Sequence, residues 1–370
     1  MNVLILSCNT GGGHNACAEA LKEVFRETGD FCEIQDSLQF VSHKLSQFMS
    51  CGHATMYRHV PGLFQHGYDF AETHPKFLAE DSAVYKLLTA GTKKLHQHIR
   101  QGHFDAVIGT HVFSGLLLHR TMMEYPLNIR TAFVATDYTC SPGTATSKLH
   151  RYFISSASLI PEFREKGIPA DNISVSGIPI RQAFYHKSDK AEAKKALELD
   201  PNRPHLLVMC GSMGCGPLKK LSVLLCDRLR DSCEISIVCG TNEALRQALL
   251  RQHRNNPYMH IHGYINNMSA LMDSADLYLT KPGGLSTSEA AAKCLPMVFI
   301  DAVSGCEDHN LRFFTELGGA VTAATVWELT ELCCKLLHNE EKRAAMETAL
   351  SSEGQKNAAR SICDWLHRSV

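Results

Sequence analysis

The 370 residues predict an α/β protein of two doubly wound domains facing across a cleft, and three observations carry that expectation. Each half opens with a short apolar run that stops at a glycine cluster: Val3 to Ser7 before Gly11-Gly12-Gly13, and Leu206 to Cys210 before Gly211 to Gly216. Behind the first cluster, Ala18, Leu21, Val24 and Phe25 return at helical spacing, and strand-like and helix-like stretches then alternate in both halves. The chain also exceeds the length that one hydrophobic core usually serves. Strands separated by helices imply parallel sheets with right-handed crossovers, and such sheets bind ligands at the carboxyl ends of their strands.

Taken in order, Val3 to Ser7 reads as a strand, Gly11 to Gly13 as a tight loop and His14 to Thr28 as a helix. Strands follow at Ala106 to Thr110, Ile129 to Ala135, Tyr152 to Ser155 and Ile173 to Ser176, with a helix from Leu159 to Lys166 closing at Gly167. A charged, apolar-poor stretch from His186 to Pro204 precedes the restart. There Leu206 to Cys210, Ile235 to Cys239, Leu277 to Thr280 and Met297 to Ile300 read as strands. Helices are expected over Leu218 to Leu229 and from near Asn242, Ser286 and Asn310. This places one Rossmann-like domain at 1–182, a second at 183–354, and an amphipathic C-terminal helix at 355–370 that packs back across the hinge.

With 44% hydrophobic and 20% charged residues and a formal charge of -1, the composition is that of a globular chain and gives no reason to expect nucleic acid as a partner. The 15 cysteines form no C-x-x-C pair, and the short opening apolar run lacks a secretory profile, so free thiols in a reducing cytoplasm are expected. No apolar run reaches the ~18 to 20 residues that span a bilayer, which leaves peripheral contact as the expected mode of membrane association.

Four loops carry candidate chemistry. The turn at Gly11 to His14 lies on the ligand side of the first sheet; its glycines admit close approach, and His14 has an imidazole able to take a proton near neutral pH. Turn packing with a solvated His14 is the alternative. The loop from Gly211 through Ser212, Met213 and Gly214 offers backbone N–H groups to a diphosphate, or is simple turn chemistry. In Lys281-Pro282-Gly283-Gly284-Leu285-Ser286-Thr287-Ser288-Glu289, Ser286 or Thr287 is expected to cap the next helix and Glu289 to lie in its first turn. There Glu289 either accepts ribose hydroxyls or closes a capping box. Asp301 to Asn310 gathers polar groups past a strand end, suited to sugar hydroxyls or to solvent.

Together these loops resemble the glycosyltransferase family of monogalactosyldiacylglycerol synthases and processive diacylglycerol glucosyltransferases. The resemblance covers nearly the whole chain. It rests on Gly11-Gly12-Gly13-His14, Ala135-Thr136-Asp137-Tyr138-Thr139, Ser176-Gly177-Ile178-Pro179, Gly263-Tyr264 to Asn267-Met268, and Lys281-Pro282-Gly283-Gly284 through Glu289. It implies a GT-B fold, a UDP-sugar donor held by the second domain, and diacylglycerol or a glycolipid as acceptor on the first. By that likeness Gly211 to Gly214 cradle the diphosphate, Tyr264 and Ile265 meet the uracil and Glu289 the ribose, Gly283, Gly284, Leu285, Ser286 and Thr287 belong to the donor site, and Glu307, Asp308 and Asn310 touch the hexose. His14 and Asp137 become the catalytic pair, with Gly12, Gly13 and His111 on the acceptor side. Two departures, Cys140-Ser141-Pro142-Gly143 after the Thr-Asp pair and Ser304-Gly305-Cys306-Glu307 where relatives have Pro-Gly-Gln-Glu, leave acceptor details and donor choice open.

No Asp-x-Asp motif is present, so no metal and no other cofactor is expected. The expected reaction is a single inverting displacement in which fixed donors and a helix N-terminus stabilise the departing UDP. From Ser37 to Tyr68 there is no acidic residue, while Lys44, Arg58 and four histidines sit among Phe40, Val41, Leu45, Phe48, Met49, Met56, Tyr57, Leu63 and Phe64. Such a segment suits an anionic membrane surface, here the inner face of the cell membrane, or an ordinary core helix and loop. A UDP-sugar 2-epimerase and a non-catalytic UDP-sugar sensor are the competing functions.

Overall fold

A computed structural model describes residues 1–10, 12–47, 49, 61–214, 216–300, 305–353 and 357–368, with 61–66 and 75 described by backbone alone. The described residues form two compact units. The first comprises Met1–Gln182, Val303–His309 and Lys356–Val370; the second comprises Ala183–Ala302 and Asn310–Gln355.

In the first unit, strands β1 (Asn2–Ser7), β2 (Phe31–Asp36), β3 (Ala106–Gly109), β4 (Arg130–Val134), β5 (Arg151–Ile154) and β6 (Ile173–Val175) form one parallel sheet in the order β2-β1-β3-β4-β5-β6. Its helices are α1 (Gly12–Glu27), α2 (Ser37–Val41), α3 (Pro61–Thr73), α4 (Ala83–Leu88), α5 (Thr92–Gln101), α6 (Val112–Glu124) and α7 (Ile160–Glu165). The continuous apolar run Val3 to Leu6 is wholly buried, as a central strand covered on both faces requires.

The second sheet runs β12-β11-β10-β7-β8-β9, again all parallel, from β7 (His205–Met209), β8 (Glu234–Val238), β9 (Met259–His262), β10 (Leu277–Thr280), β11 (Met297–Phe299) and β12 (Ala320–Thr322). Helices α8 (Lys190–Ala196), α9 (Leu218–Leu229), α10 (Glu243–Gln252), α11 (Met268–Ser274), α12 (Gly284–Ala292), α13 (Cys306–Leu317), α14 (Val326–Leu337) and α15 (Glu340–Ser351) accompany it. Its core joins Leu206, Val208, Leu277 and Leu279 of the central strands to Leu221 and Leu225 of α9 and Leu329 and Cys333 of α14.

Three strands have no counterpart in the sequence reading: β2, β9 and β12. All three are edge strands. An edge strand is half-solvated, so Phe-Cys-Glu-Ile-Gln-Asp and Met-His-Ile-His carry no unbroken apolar run to betray them. The apolar-poor stretch 186–204 also proves folded. It contains α8, whose buried Lys194 pairs with Asp276 at 3.0 Å.

The last helix, α16 (Ala358–Arg368), buries Ala358, Ala359, Ile362, Cys363 and Leu366 and packs on α1. Arg360 reaches Glu27 at 2.9 Å, His367 donates to Asp30 at 2.8 Å, and Trp365 meets Phe153 edge to face. Burying one Ile or Leu contributes about 1.5 to 3 kcal/mol, so the apolar stripe does most to dock the helix, beyond what the exposed Arg360–Glu27 pair adds.

Candidate active site

The strand order of the first sheet reverses between β1 and β3, which lie side by side in register from Val3 opposite Ala106 to Leu6 opposite Gly109. A crevice opens at such a reversal because the helices following the two strands leave to opposite faces. The groups that emerge there are His14, from the start of α1 after β1, and Thr110 and His111, directly after β3.

His14 Nδ1 lies 2.8 Å from the Thr110 carbonyl oxygen and 3.0 Å from the Thr136 hydroxyl. A carbonyl only accepts, so Nδ1 carries the proton and Nε2 is the basic nitrogen. His111 has the opposite tautomer. The Phe113 backbone N–H donates to its Nδ1 at 3.1 Å, making the imidazole the N-cap of α6 and leaving the proton on Nε2. The two rings meet edge to face at 4.5 Å. One imidazole is thus set as an acceptor and its neighbour as a donor.

Asp137 follows Thr136 past the end of β4, half-buried, with its backbone carbonyl accepting the Ser155 hydroxyl at 3.0 Å. Thr110 and Thr136 both meet His14 at Nδ1 and contribute to the orientation of its ring. Gly12 and Gly13 are not a separate loop either. They form the first turn of α1, because glycine tolerates a helical start and leaves the N-terminal N–H groups uncovered by side chains.

A chain of hydrogen bonds fixes the turn beneath His14. Ser7 donates to Asn15 at 2.6 Å, Asn15 to Asn9 at 2.8 Å, and Asn9 to Asp36 at 3.1 Å. Asp36 also caps α2 and accepts the Ser46 hydroxyl. None of these four side chains was legible as a site residue, since each looks like ordinary turn chemistry in the sequence.

The second sheet reverses between β7 and β10. The loop Gly211 to Gly214 follows β7, and Lys281 to Gly284 follows β10, so both anion-binding candidates share that switch point. Gly214 has a φ of +57°, and a Cβ on it would stand 2.2 Å from the Cys239 carbonyl oxygen. Gly240 is as tightly placed, its would-be Cβ 2.1 Å from the Ser212 carbonyl oxygen. The two loops therefore interlock. Thr241 N–H donates to the Ser212 carbonyl at 2.9 Å and Asn242 to the Gly214 carbonyl at 3.1 Å, which leaves the Ser212 side chain exposed and Met213 half-buried.

Helix α12 starts at Gly284, with Gly283 as N-cap and no side-chain cap. Ser286 and Thr287 bond back to the Gly283 carbonyl at 3.1 and 2.9 Å, correcting the expectation that either caps the helix. Glu289 consequently falls in the second turn, too far along to close a capping box, and is half-buried beside buried Leu285 and Ala290. The start of this helix has no side-chain cap, which leaves its first N–H groups without that kind of partner. Buried Lys293 at its far end bonds Asp273 at 2.9 Å and the His186 carbonyl, holding the helix in place.

Helix α13 begins at Cys306, four residues before the expected start, so Glu307 and Asp308 are first-turn residues rather than part of a loop. Asn310 is fully buried and donates to the Pro282 carbonyl at 2.9 Å, a bond that shapes the Lys281 to Gly283 turn. Tyr264 and Ile265 lie between β9 and α11, Tyr264 strongly exposed at 68% and Ile265 half-buried.

The middle of the acid-free segment, including Phe48, His53, Met56, Tyr57, Arg58 and His59, lies outside the described residues, as do Asp301 to Ser304. Of the rest, Leu45 and Met49 pack on the cluster of Cys8, Leu38, Leu78, Tyr85, Leu88 and Leu116, facing the interior. No helix among the described residues is long and apolar enough to cross a membrane. Asp30, Cys363 and His367 form the one trio there with metal-ligand proximity, and none belongs to the site.

Residues 14–180 match the monogalactosyldiacylglycerol (MGDG) synthase model, and 205–362 match the glycosyltransferase family 28 C-terminal domain. A processive diacylglycerol beta-glucosyltransferase of Staphylococcus epidermidis is 28% identical over 366 residues, spanning 98% of this chain and 91% of that one. Among solved structures, Acinetobacter baumannii MurG aligns with a TM-score of 0.65 at 16% identity over 100% of this chain and 99% of its own. UDP-GlcNAc 2-epimerase from Neisseria meningitidis gives 0.65 at 12% identity over the whole of both chains. The fold is GT-B, with the first half of the chain matching the MGDG synthase family model and the second half the glycosyltransferase family 28 C-terminal domain.

Proposed function

We propose that this glycosyltransferase moves a hexose from a UDP-sugar to diacylglycerol or a related lipid with inversion at the anomeric carbon. The observation that carries the reading is the His14 tautomer. With Nδ1–H donated to the Thr110 carbonyl, Nε2 is a fixed base at a switch point, where a general base for a hydroxyl is needed. His14 Nε2 takes the acceptor proton, the freed oxygen bonds the anomeric carbon from one side, and the bond to the β-phosphate oxygen breaks on the other with its electron pair leaving on UDP. Asp137 lends a negative charge that steadies the imidazolium so formed.

On the donor side, the Gly211 to Gly214 loop and the uncapped N-terminus of α12 offer backbone N–H groups to the diphosphate, and Glu289 accepts the ribose hydroxyls. No metal enters this scheme. Likeness to processive diacylglycerol glucosyltransferases supports the lipid acceptor and glucose as the first donor to try. Attachment to an anionic membrane surface, on its cytoplasmic side, follows from the acceptor.

The test is UDP release from a panel of UDP-sugars with diacylglycerol in anionic vesicles, in EDTA. Lipid-dependent release that collapses in His14→Ala and Asp137→Asn supports the reading. UDP-sugar consumption without lipid sinks it in favour of an epimerase or hydrolase.

A further inference from the structure

We propose that Tyr68 touches substrate, its phenolic O–H donating a hydrogen bond to a hydroxyl oxygen of the molecule reacting beside Asp137; this rests on the transferase reading above. Tyr68 stands on α3 in the first unit, and its hydroxyl oxygen is sealed from solvent with no hydrogen-bond partner among the described residues. A donor stripped of water and given no replacement is uncommon in a folded protein, and its cost is recovered when a ligand brings the acceptor.

The ring packs against the backbone of Gly305. Gly305, at φ +101° and grouped with the first unit, lies against it so closely that a Cβ there would stand 2.7 Å from Cγ and 2.9 Å from Cδ1. Nearby, His309 reaches Glu72 of α3 at 3.2 Å, fixing the same helix from a second point. Asp137 and Cys306 are within electrostatic reach of the phenol, and the Ser141 hydroxyl is close without meeting hydrogen-bond geometry.

Burial first, then Cys306 and Asp137, push the phenol well above its ordinary pKa, so it remains a donor throughout the working pH range. A neutral donor within electrostatic reach of a carboxylate is complementary to a hydroxyl group, whose oxygen accepts from the phenol while its own proton points elsewhere. The glycerol hydroxyl of the acceptor and a ring hydroxyl of the hexose share that chemistry.

Tyr68→Phe separates them, since it keeps the ring against Gly305 and removes only the oxygen. The expected result is a fall of about tenfold in kcat/KM for transfer, with the melting temperature unchanged or slightly raised because an orphan polar group has gone. A rise confined to the KM of the lipid places the bond on the acceptor; a rise confined to the KM of the UDP-sugar places it on the hexose. Wild-type turnover with an unaltered Tyr68→Phe enzyme overturns the inference alone, and so does a melting temperature that drops in step with activity. A wild type that transfers to no lipid removes the transferase reading and this inference with it.

Discussion

His14 Nδ1 donates to the main-chain carbonyl of Thr110 over 2.8 Å, so a backbone group helps to orient the base of the proposed reaction. Backbone acceptors cannot be mutated away, which makes the ring itself and the Thr136 hydroxyl the testable parts. His14→Ala should lower kcat by roughly 10² to 10⁴, the range of general-base contributions. Thr136→Val, which removes a 3.0 Å contact and keeps the shape, should cost no more than about tenfold. Steady-state rates at saturating donor check both, and a more damaging Thr136→Val than His14→Ala would mean that the roles are misassigned.

Glu289 offers a sharper separation of binding from folding. Because Gly283 caps the helix and Glu289 sits in the second turn, Glu289→Gln removes no helix cap and keeps the shape of the side chain. Its KM for UDP-sugar should rise at least about tenfold as a charged acceptor of ribose hydroxyls is lost. Calorimetric titration with UDP distinguishes this from a purely structural glutamate, whose loss lowers stability while UDP affinity stays constant.

The interlocked glycine loops should tolerate no side chain. Gly240→Ala places a methyl where the Ser212 carbonyl stands, at a backbone φ of +57°. UDP binding is expected to weaken by an order of magnitude or more through displacement of the 211–214 loop, with His14-dependent steps in the first unit unaffected. Retention of full UDP affinity by Gly240→Ala would show that the loop does not hold the diphosphate.

Asp36 joins four elements of the turn chemistry: it caps α2, accepts from Ser46 and steadies Asn9, which holds Asn15 beside His14. Asp36→Ala should destabilise the first unit by about 1 to 3 kcal/mol, from the lost cap and the polar groups left without partners. Urea unfolding followed by circular dichroism measures it, and a change below about 0.5 kcal/mol would argue that the network is slack.

The second unit carries a pH dependence of predictable sign. His205 is fully buried between the Ser274 and Ser236 hydroxyls, and burial above all lowers its pKa from 6.5 to about 3, with Lys194 and His260 adding to the effect and Ser274 and Asp276 opposing it. Between those pH values the unfolded chain takes a proton that the folded one refuses, so stability falls as pH drops from about 6.5 toward 3. Nearby Asp276 adds to this at the acid end: burial opposes its charge, yet Lys190, the His205 N–H and Lys194 win and hold its pKa below the usual value. Denaturation midpoints at several pH values should show the slope, and His205→Gln should flatten it; an equally steep variant would assign the slope to other groups.

How far the sequence could be read varied with solvation. Central strands such as Val3 to Leu6 and Leu277 to Thr280 are buried on both faces and announce themselves as apolar runs, whereas the edge strands β2, β9 and β12 share their pattern with loops. Helix starts at glycine were read late, at His14 and Ser286 instead of Gly12 and Gly284, because residues that look like caps or loops were already inside the first turn. The acid-free segment divides: Leu45 and Met49 turn inward, and a period of apolar residues alone cannot say which side they face.

By itself the sequence determined the two α/β units and the loops that follow β1, β7 and β10, and it singled out His14, Asp137 and Glu289 as candidate side chains. Those properties are local, set by apolar runs, glycine and titratable groups near one another along the chain. Only tertiary structure decided that Thr110 and Thr136, 96 and 122 residues away, fix the proton on His14 Nδ1, and that Gly240 and Gly214 interlock. The reason is geometric: a tautomer or a loop shape depends on which atoms parallel pairing brings within 3 Å, and that adjacency follows from strand order, which no local pattern encodes.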